Sequence, residues 1–247
     1  MLTVVCWKWR PVPGSRHPAA PYTAHHVNVL RAMVRRHLHR SHNFVCVTDD
    51  PQGIDRDIRI VPLWDDLRDL GRCYLRLKAF APDMAGCLGD RFVSIDLDTV
   101  IVDDITPLFE TDMPFKIWGD VLASTPYNGS LWLLRAGARP SVWSAFDPEA
   151  DIPRAAEAGF IGSDQAWLSL HLGPGEAKWG RDDGVFSFRH HILGRRNWPL
   201  GALRRSLPEA MRARPPHGAR IVFFHGTHDP SHPSVQDTFP WIKEHWT

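Results

Sequence analysis

The chain has 247 residues, a formal net charge of +1, 43% hydrophobic residues and 23% charged residues. That length and balance fit one α/β domain spanning 1–247 with a core that needs no disulfides, and they exclude a disordered or collagen-like chain. A charge so near zero gives no global attraction to nucleic acid or anionic lipid, and no apolar run reaches the roughly 18 residues of a membrane span.

Leu2 to Trp9 is apolar, with β-branched and aromatic residues, and predicts a buried first strand. Arg10 to Pro21 is too rich in proline for regular structure. Val27, Leu30, Val34 and Leu38 then recur at the spacing of one helix face. Phe44 to Thr48 and Asp57 to Val61 predict two more strands, separated by the turn residues Asp49-Asp50-Pro51-Gln52-Gly53. Strand, helix and strand in this rhythm imply a mostly parallel sheet flanked by helices. Tyr74 to Met84 predicts a helix and Arg91 to Ile95 a central strand. Phe115 to Trp118, Leu131 to Leu134 and Ile221 to Phe224 supply further strands, and beyond Leu172 the pattern becomes irregular. The N-terminus lacks the pattern of a signal peptide, and the four scattered cysteines form no C-x-x-C pair. Both features predict reduced thiols and a cytoplasmic protein.

The segment Phe92-Val93-Ser94-Ile95-Asp96-Leu97-Asp98-Thr99-Val100 places two carboxylates in an otherwise apolar run. In extended chain, residues two apart face the same way, so Asp96 and Asp98 point together. Two adjacent carboxylates repel unless donors or a cation compensate, and a hard divalent ion shared with substrate phosphates is the economical partner. Ligands of open parallel sheets bind beyond the carboxyl ends of strands, where this pair and Trp7-Lys8-Trp9 both lie. Asp103 and Asp104 read instead as caps of the turn that follows.

Tyr74-Leu75-Arg76-Leu77-Lys78 followed by Ser94 to Ile105 resembles glycosyltransferase family 8 and its GT-A relatives. Tyr127-Asn128-Gly129-Ser130, Gly162-Ser163-Asp164-Gln165 and Phe224-His225-Gly226-Thr227-His228-Asp229-Pro230 are similar to further elements of that family, in its order. The resemblance implies a single GT-A domain that moves a sugar from a nucleotide-diphosphate sugar, by default a UDP-sugar, to a saccharide or glycan acceptor. It implies retention of configuration and Mn²⁺ or Mg²⁺ held by Asp96, Asp98 and His225. Arg76 would approach the donor sugar or phosphate, Asn128 and Gly129 would face the sugar, and Asp164 and Gln165 would stand beside its anomeric carbon. Gly226 would admit the diphosphate close to the backbone.

Two departures qualify this expectation. The family's lysine after His-x-Gly falls at Asp229, leaving Lys8, His228 or the pair Arg195-Arg196 to meet the phosphate. The first strand lacks the family's base-binding residues and offers Trp7, whose indole either stacks on a base or packs in the core. Trp179 and Trp198, in polar stretches, are candidates to stack on an acceptor sugar. A nucleotidyltransferase and a catalytically silent nucleotide-sugar-binding protein are the competing readings.

Overall fold

The computed structural model describes residues 1–10, 22–64, 70–194, 207–226 and 228–247. In chain order the strands are β1 (Leu2–Lys8), β2 (His42–Thr48), β3 (Arg59–Pro62), β4 (Arg91–Ile95), β5 (Thr99–Ile101), β6 (Phe115–Leu122), β7 (Thr125–Arg135), β8 (Ala177–Trp179), β9 (Val185–Ser187) and β10 (Ile221–Phe223). They form a seven-stranded sheet in the order β3-β2-β1-β4-β7-β6-β8 and a three-stranded sheet in the order β5-β10-β9. The chain divides into two compact units interleaved in sequence. The first comprises Met1–Val27, Ser41–Ile95 and Asp112–Lys178, and the second Asn28–Arg40, Asp96–Thr111 and Trp179–Thr247.

In the first unit, β1 pairs in parallel with β2 and β4, and β2 in parallel with β3. Every residue of β1 is buried, as expected of a central strand covered on both faces. Direction reverses at β7, which runs antiparallel to β4 on one side and to β6 on the other. A core of Val5, Val45, Val47, Phe80, Phe92, Phe115, Trp132 and Trp167 joins the sheet to the segments beside it. The predicted strand at Asp57 begins two residues late, at Arg59, because the amide of Ile58 donates to the carbonyl of Asp55 in a turn (3.0 Å). The predicted helix Tyr74–Met84 is a 3₁₀ helix over Tyr74–Phe80 and a second short one over Pro82–Met84. Ala81 between them is extended, with φ −63° and ψ 145°, as a residue preceding proline prefers.

The helix Ala24–His37 buries Val27, Leu30 and Val34, with Leu38 just beyond its end, in agreement with their spacing. In the second unit, β10 is the centre of its sheet, antiparallel to β5 and parallel to β9. These strands have three residues each, and flanking bonds such as Val102 N–H to the carbonyl of Arg220 (2.9 Å) extend the pairing. Asp104 Oδ1 accepts from the amide of Thr106 (2.8 Å), the turn-capping role expected of it. All four cysteines are free of disulfides, and among the described residues no helix is long and apolar enough to cross a membrane.

His191 makes this unit sensitive to acid. Its Nδ1 accepts from the amide of Ser187 (3.0 Å), and burial, then the charges of Arg181 and His190, push its pKa down to about 4. Above about pH 6.5 the ring is neutral in both folded and unfolded chains, and its contribution is fully present. Between that pH and 4 the unfolded chain gains a proton that the folded chain resists, so stability falls with pH through this window. Allowing for solvent screening of a half-buried ring, the loss is about 1–2 kcal/mol. His191→Asn keeps an acceptor for Ser187 and removes the titration. Urea unfolding at pH 7 and pH 4.5 is therefore expected to show a smaller loss in the variant; equal losses would discharge His191 from this role.

Candidate active site

The first unit builds one cluster around an irregularity in β7. Ile117 of β6 pairs with Trp132, yet the next residue, Trp118, pairs with Asn128, so residues 129–131 have no counterpart in β6. Leu131 pairs with Ile95 at the end of β4. Bulges of this kind re-aim backbone beside functional sites, and this one carries Gly129. A Cβ added to Gly129 would lie 2.9 Å from Arg76 Nη2 and 3.0 Å from each carboxylate oxygen of Asp164. Only glycine leaves that approach open.

Arg76 comes from the 3₁₀ helix Tyr74–Phe80, and Asp164 opens the helix Asp164–Leu172. Their side chains, 5% and 4% exposed, form an ion pair with Arg76 Nη2 at 2.7 Å from Asp164 Oδ2. The residue before Asp164, Ser163, makes no side-chain cap bond, and its hydroxyl donates to Asp164 Oδ1 (3.4 Å). The next residue is Gln165, whose Oε1 accepts from the amide of Gly129 (3.3 Å) and whose Nε2 donates to the carbonyl of Ile161 (2.8 Å). Gly162, at φ +111°, permits this fold-back, because a Cβ there would come within 2.6 Å of Gln165 Cγ. Asn128 is buried, with its Oδ1 accepting from the amide of Ser130 (2.9 Å). Arg76, Asn128-Gly129 and Asp164-Gln165 come from three distant segments and meet at this bulge.

Trp7 is not at a binding surface. It is 3% exposed, donates Nε1–H to Ser94 Oγ (2.8 Å) and packs at a tilt on Trp64, which corrects the base-stacking option in favour of the core. Lys8 is a committed cation, donating to the carbonyl of Asp50 (2.7 Å) and to its Oδ2 (2.8 Å). That lysine in turn holds the Asp50 carboxyl below the usual carboxylate range. Beyond the ends of β1 and β2, a cleft of about 470 Å³ is lined by Lys8, Trp9, Arg10, Tyr22, His25 and Asp50.

The second unit gathers the other predicted residues around the end of β10. The amide of Phe224 donates to the carbonyl of Asp98 (2.9 Å), so antiparallel pairing brings His225 to the Asp96–Asp98 turn from far along the chain. Thr99 Oγ1 closes that turn by donating to the carbonyl of Asp96 (2.7 Å). His225 has a pKa pushed down to about 3, by burial first and then by the charges of His190, Arg189 and His191. The imidazole is therefore neutral near pH 7, the form in which it carries a lone pair for a metal. Gly226 adopts φ +84°, a left-handed conformation that favours glycine, and the Arg189 guanidinium lies beside it. His228 is partly buried and edge-on to Phe188. Among the described residues no three His, Cys, Asp or Glu side chains form a metal-holding group by themselves.

Trp179 is fully buried and donates to the carbonyl of Leu108 (3.1 Å), so it packs the core and is not an acceptor platform. Trp198 and the Arg195-Arg196 pair lie outside the described residues. Gly162 lies in the Gly162-Ser163-Asp164-Gln165 motif, and Arg189 lies in none of the motifs.

This GT-A-like mixed α/β architecture is also that of glycosyltransferases of known structure. The galactosyltransferase LgtC, in complex with donor and acceptor sugar analogues, matches with a TM-score of 0.61 and 14% identity, over 99% of this chain and 96% of that one. An active-site glutamine-to-glutamate mutant of LgtC matches equally, over 98% and 95% of the two chains. The glycosyltransferase GlyE of Streptococcus pneumoniae TIGR4 matches with a TM-score of 0.60 and 12% identity, over all of this chain and 62% of GlyE. At such identities the likeness establishes the fold. No protein-family model matches the chain, and no curated protein matches it in sequence.

Proposed function

We propose that the chain is a metal-dependent glycosyltransferase that moves a sugar, with retention, from a nucleotide-diphosphate sugar to a saccharide acceptor. The observation that carries this reading is the meeting of Arg76, Gly129, Asp164 and Gln165 at the β7 bulge. LgtC has a glutamine in its active site and binds donor and acceptor sugar analogues, and Gln165 is the glutamine of the cluster here.

Asp96, Asp98 and His225 fit a divalent ion in their chemistry: two hard carboxylates and a neutral imidazole, in one unit, at the end of one strand. A complete protein cage is not required, because Mg²⁺-type sites commonly take one or two carboxylates and complete their shell with phosphates and water. When bound there, the ion supplies Lewis-acid stabilisation to the departing diphosphate. The Arg76 ion pair spreads the charge of Asp164 and makes its carboxylate a poor nucleophile, suited to holding sugar hydroxyls. Gln165 presents an amide dipole beside the ring, where positive charge develops. The bond between the anomeric carbon and the diphosphate breaks, the acceptor oxygen forms the new bond on the same face, and its proton passes to the leaving phosphate. The nucleoside base, with UDP as default, is assigned to the cleft beside Trp9 and Tyr22.

Incubation with UDP- and GDP-sugars, a panel of saccharide acceptors and MnCl₂ is expected to release the nucleoside diphosphate and glycosylated product, with release stopped by EDTA. Pyrophosphate release would make the chain a nucleotidyltransferase. Donor binding without turnover would support the silent reading, which Asp229 at the lysine position favours.

A further inference from the structure

Lys8 is bound to Asp50, and Asp229 stands where the resembling element carries a lysine, so neither of these positions brings a cation to the diphosphate of the proposed donor. We propose that Arg189 supplies that cation, meeting the donor diphosphate across Gly226. The inference rests on the donor reading above and adds a residue that no motif contains.

Pairing in the small sheet puts Arg189 there. Ser187 of β9 is in parallel register with Phe223 of β10. One residue further, Phe188 stacks on Phe224 with ring centroids 4.3 Å apart. One more step brings Arg189 alongside His225 and Gly226. Arg189 Nη1 lies 3.4 Å from where a Cβ would stand on Gly226, and the His190 and His225 rings are 6.3 Å apart. On the opposite flank of β10, the carbonyl of Asp98 accepts from Phe224. The end of this strand is thus bordered by a carboxylate-bearing turn on one side and a guanidinium on the other, which is the polarity that a metal-bound diphosphate demands.

Two further observations give the guanidinium this role. Arg189 is partly buried and makes no ion pair among the described residues, and its buried Nε has no hydrogen-bond partner there. A cation withdrawn from water without a counter-ion is costly, and an anionic ligand offsets that cost. Asp229 is meanwhile drawn into its own turn, with Oδ1 accepting from the amide (2.8 Å) and hydroxyl (2.5 Å) of Ser231. An arginine also matches phosphate better than a lysine does, since its planar fork can donate two parallel hydrogen bonds.

Isothermal titration of UDP and GDP, each beside its monophosphate, in MnCl₂ tests the assignment. Wild type is expected to bind one diphosphate more tightly than its monophosphate. Arg189→Ala should weaken the diphosphate about 10- to 100-fold and the monophosphate little, while Arg189→Lys retains part of the preference. Adding Asp229→Lys to Arg189→Ala should restore diphosphate binding, a rescue that a merely structural arginine would not allow. Unchanged diphosphate affinity in Arg189→Ala overturns the assignment and leaves the donor reading standing. Failure of wild type to bind either diphosphate overturns both.

Discussion

Arg76→Ala is expected to lower the unfolding free energy by about 3–5 kcal/mol, among the largest effects available to a single substitution in this chain. Asp164 is 4% exposed at its side chain and lies 2.7 Å from the guanidinium, so truncation strands a carboxylate in the interior. Asp164→Ala has the same effect with the opposite charge left behind. Combining the two removes both charges, and the double variant should be less impaired than the sum of the singles. A double-mutant cycle in urea reads this coupling directly, and a coupling below about 1 kcal/mol would show the pair to be better solvated than its burial implies. A second double variant, Arg76→Met with Asp164→Leu, separates stability from function. Well-packed apolar replacements of buried ion pairs are often neutral or stabilising, so this variant should stay folded and yet transfer no sugar.

Asp98→Asn is expected to reduce metal-dependent release of nucleoside diphosphate by about 10²–10³-fold. Asparagine is nearly isosteric and leaves the backbone bond from Phe224 N–H to the carbonyl of this residue (2.9 Å) in place, so β5 and β10 should remain paired. The sign of the stability change gives an independent reading. Without metal, removing one of two neighbouring carboxylates relieves repulsion, and Tm should hold or rise. With Mn²⁺ near 100 times its Kd, wild type gains about 2.7 kcal/mol by mass action, and the variant should lose most of that gain. A variant with full turnover and an undiminished Mn²⁺-induced rise in Tm would remove Asp98 from the metal site.

Most of the first unit was legible in the sequence because its strands are long apolar runs. Leu2–Lys8 and Arg91–Ile95 declare themselves, and the face Val27, Leu30, Val34 and Leu38, which lies outside that unit except for Val27, declares a helix. The site residues of that unit were legible only through the order of short motifs, since Arg76 and Asp164 are 88 positions apart in the numbering and no local pattern pairs them. Burial on both faces hides the inward side of a strand, which is why Trp7 could be read as a platform or as core. The bulge that carries Gly129 is a property of β7 pairing with two neighbours at once, which no local sequence pattern displays. The second unit was harder to read. Strands of three residues are too short to display a period, and the position of Arg189 follows from a parallel register between segments whose sequence separation runs from Ser187 to Phe223.

The interleaving of the two units also bears on how this chain can change over generations. The segments that carry Asp98, Arg189 and His225 belong to one compact body but are entered and left repeatedly by the chain. A crossover between His42 and Asp98 would deliver β9 and β10 without the helical segment within Asn28–Arg40, and one between Val102 and Gly184 would deliver them without β5, each fragment exposing apolar surface that its fellows now cover. The second unit is therefore not carried by any one continuous stretch of the chain.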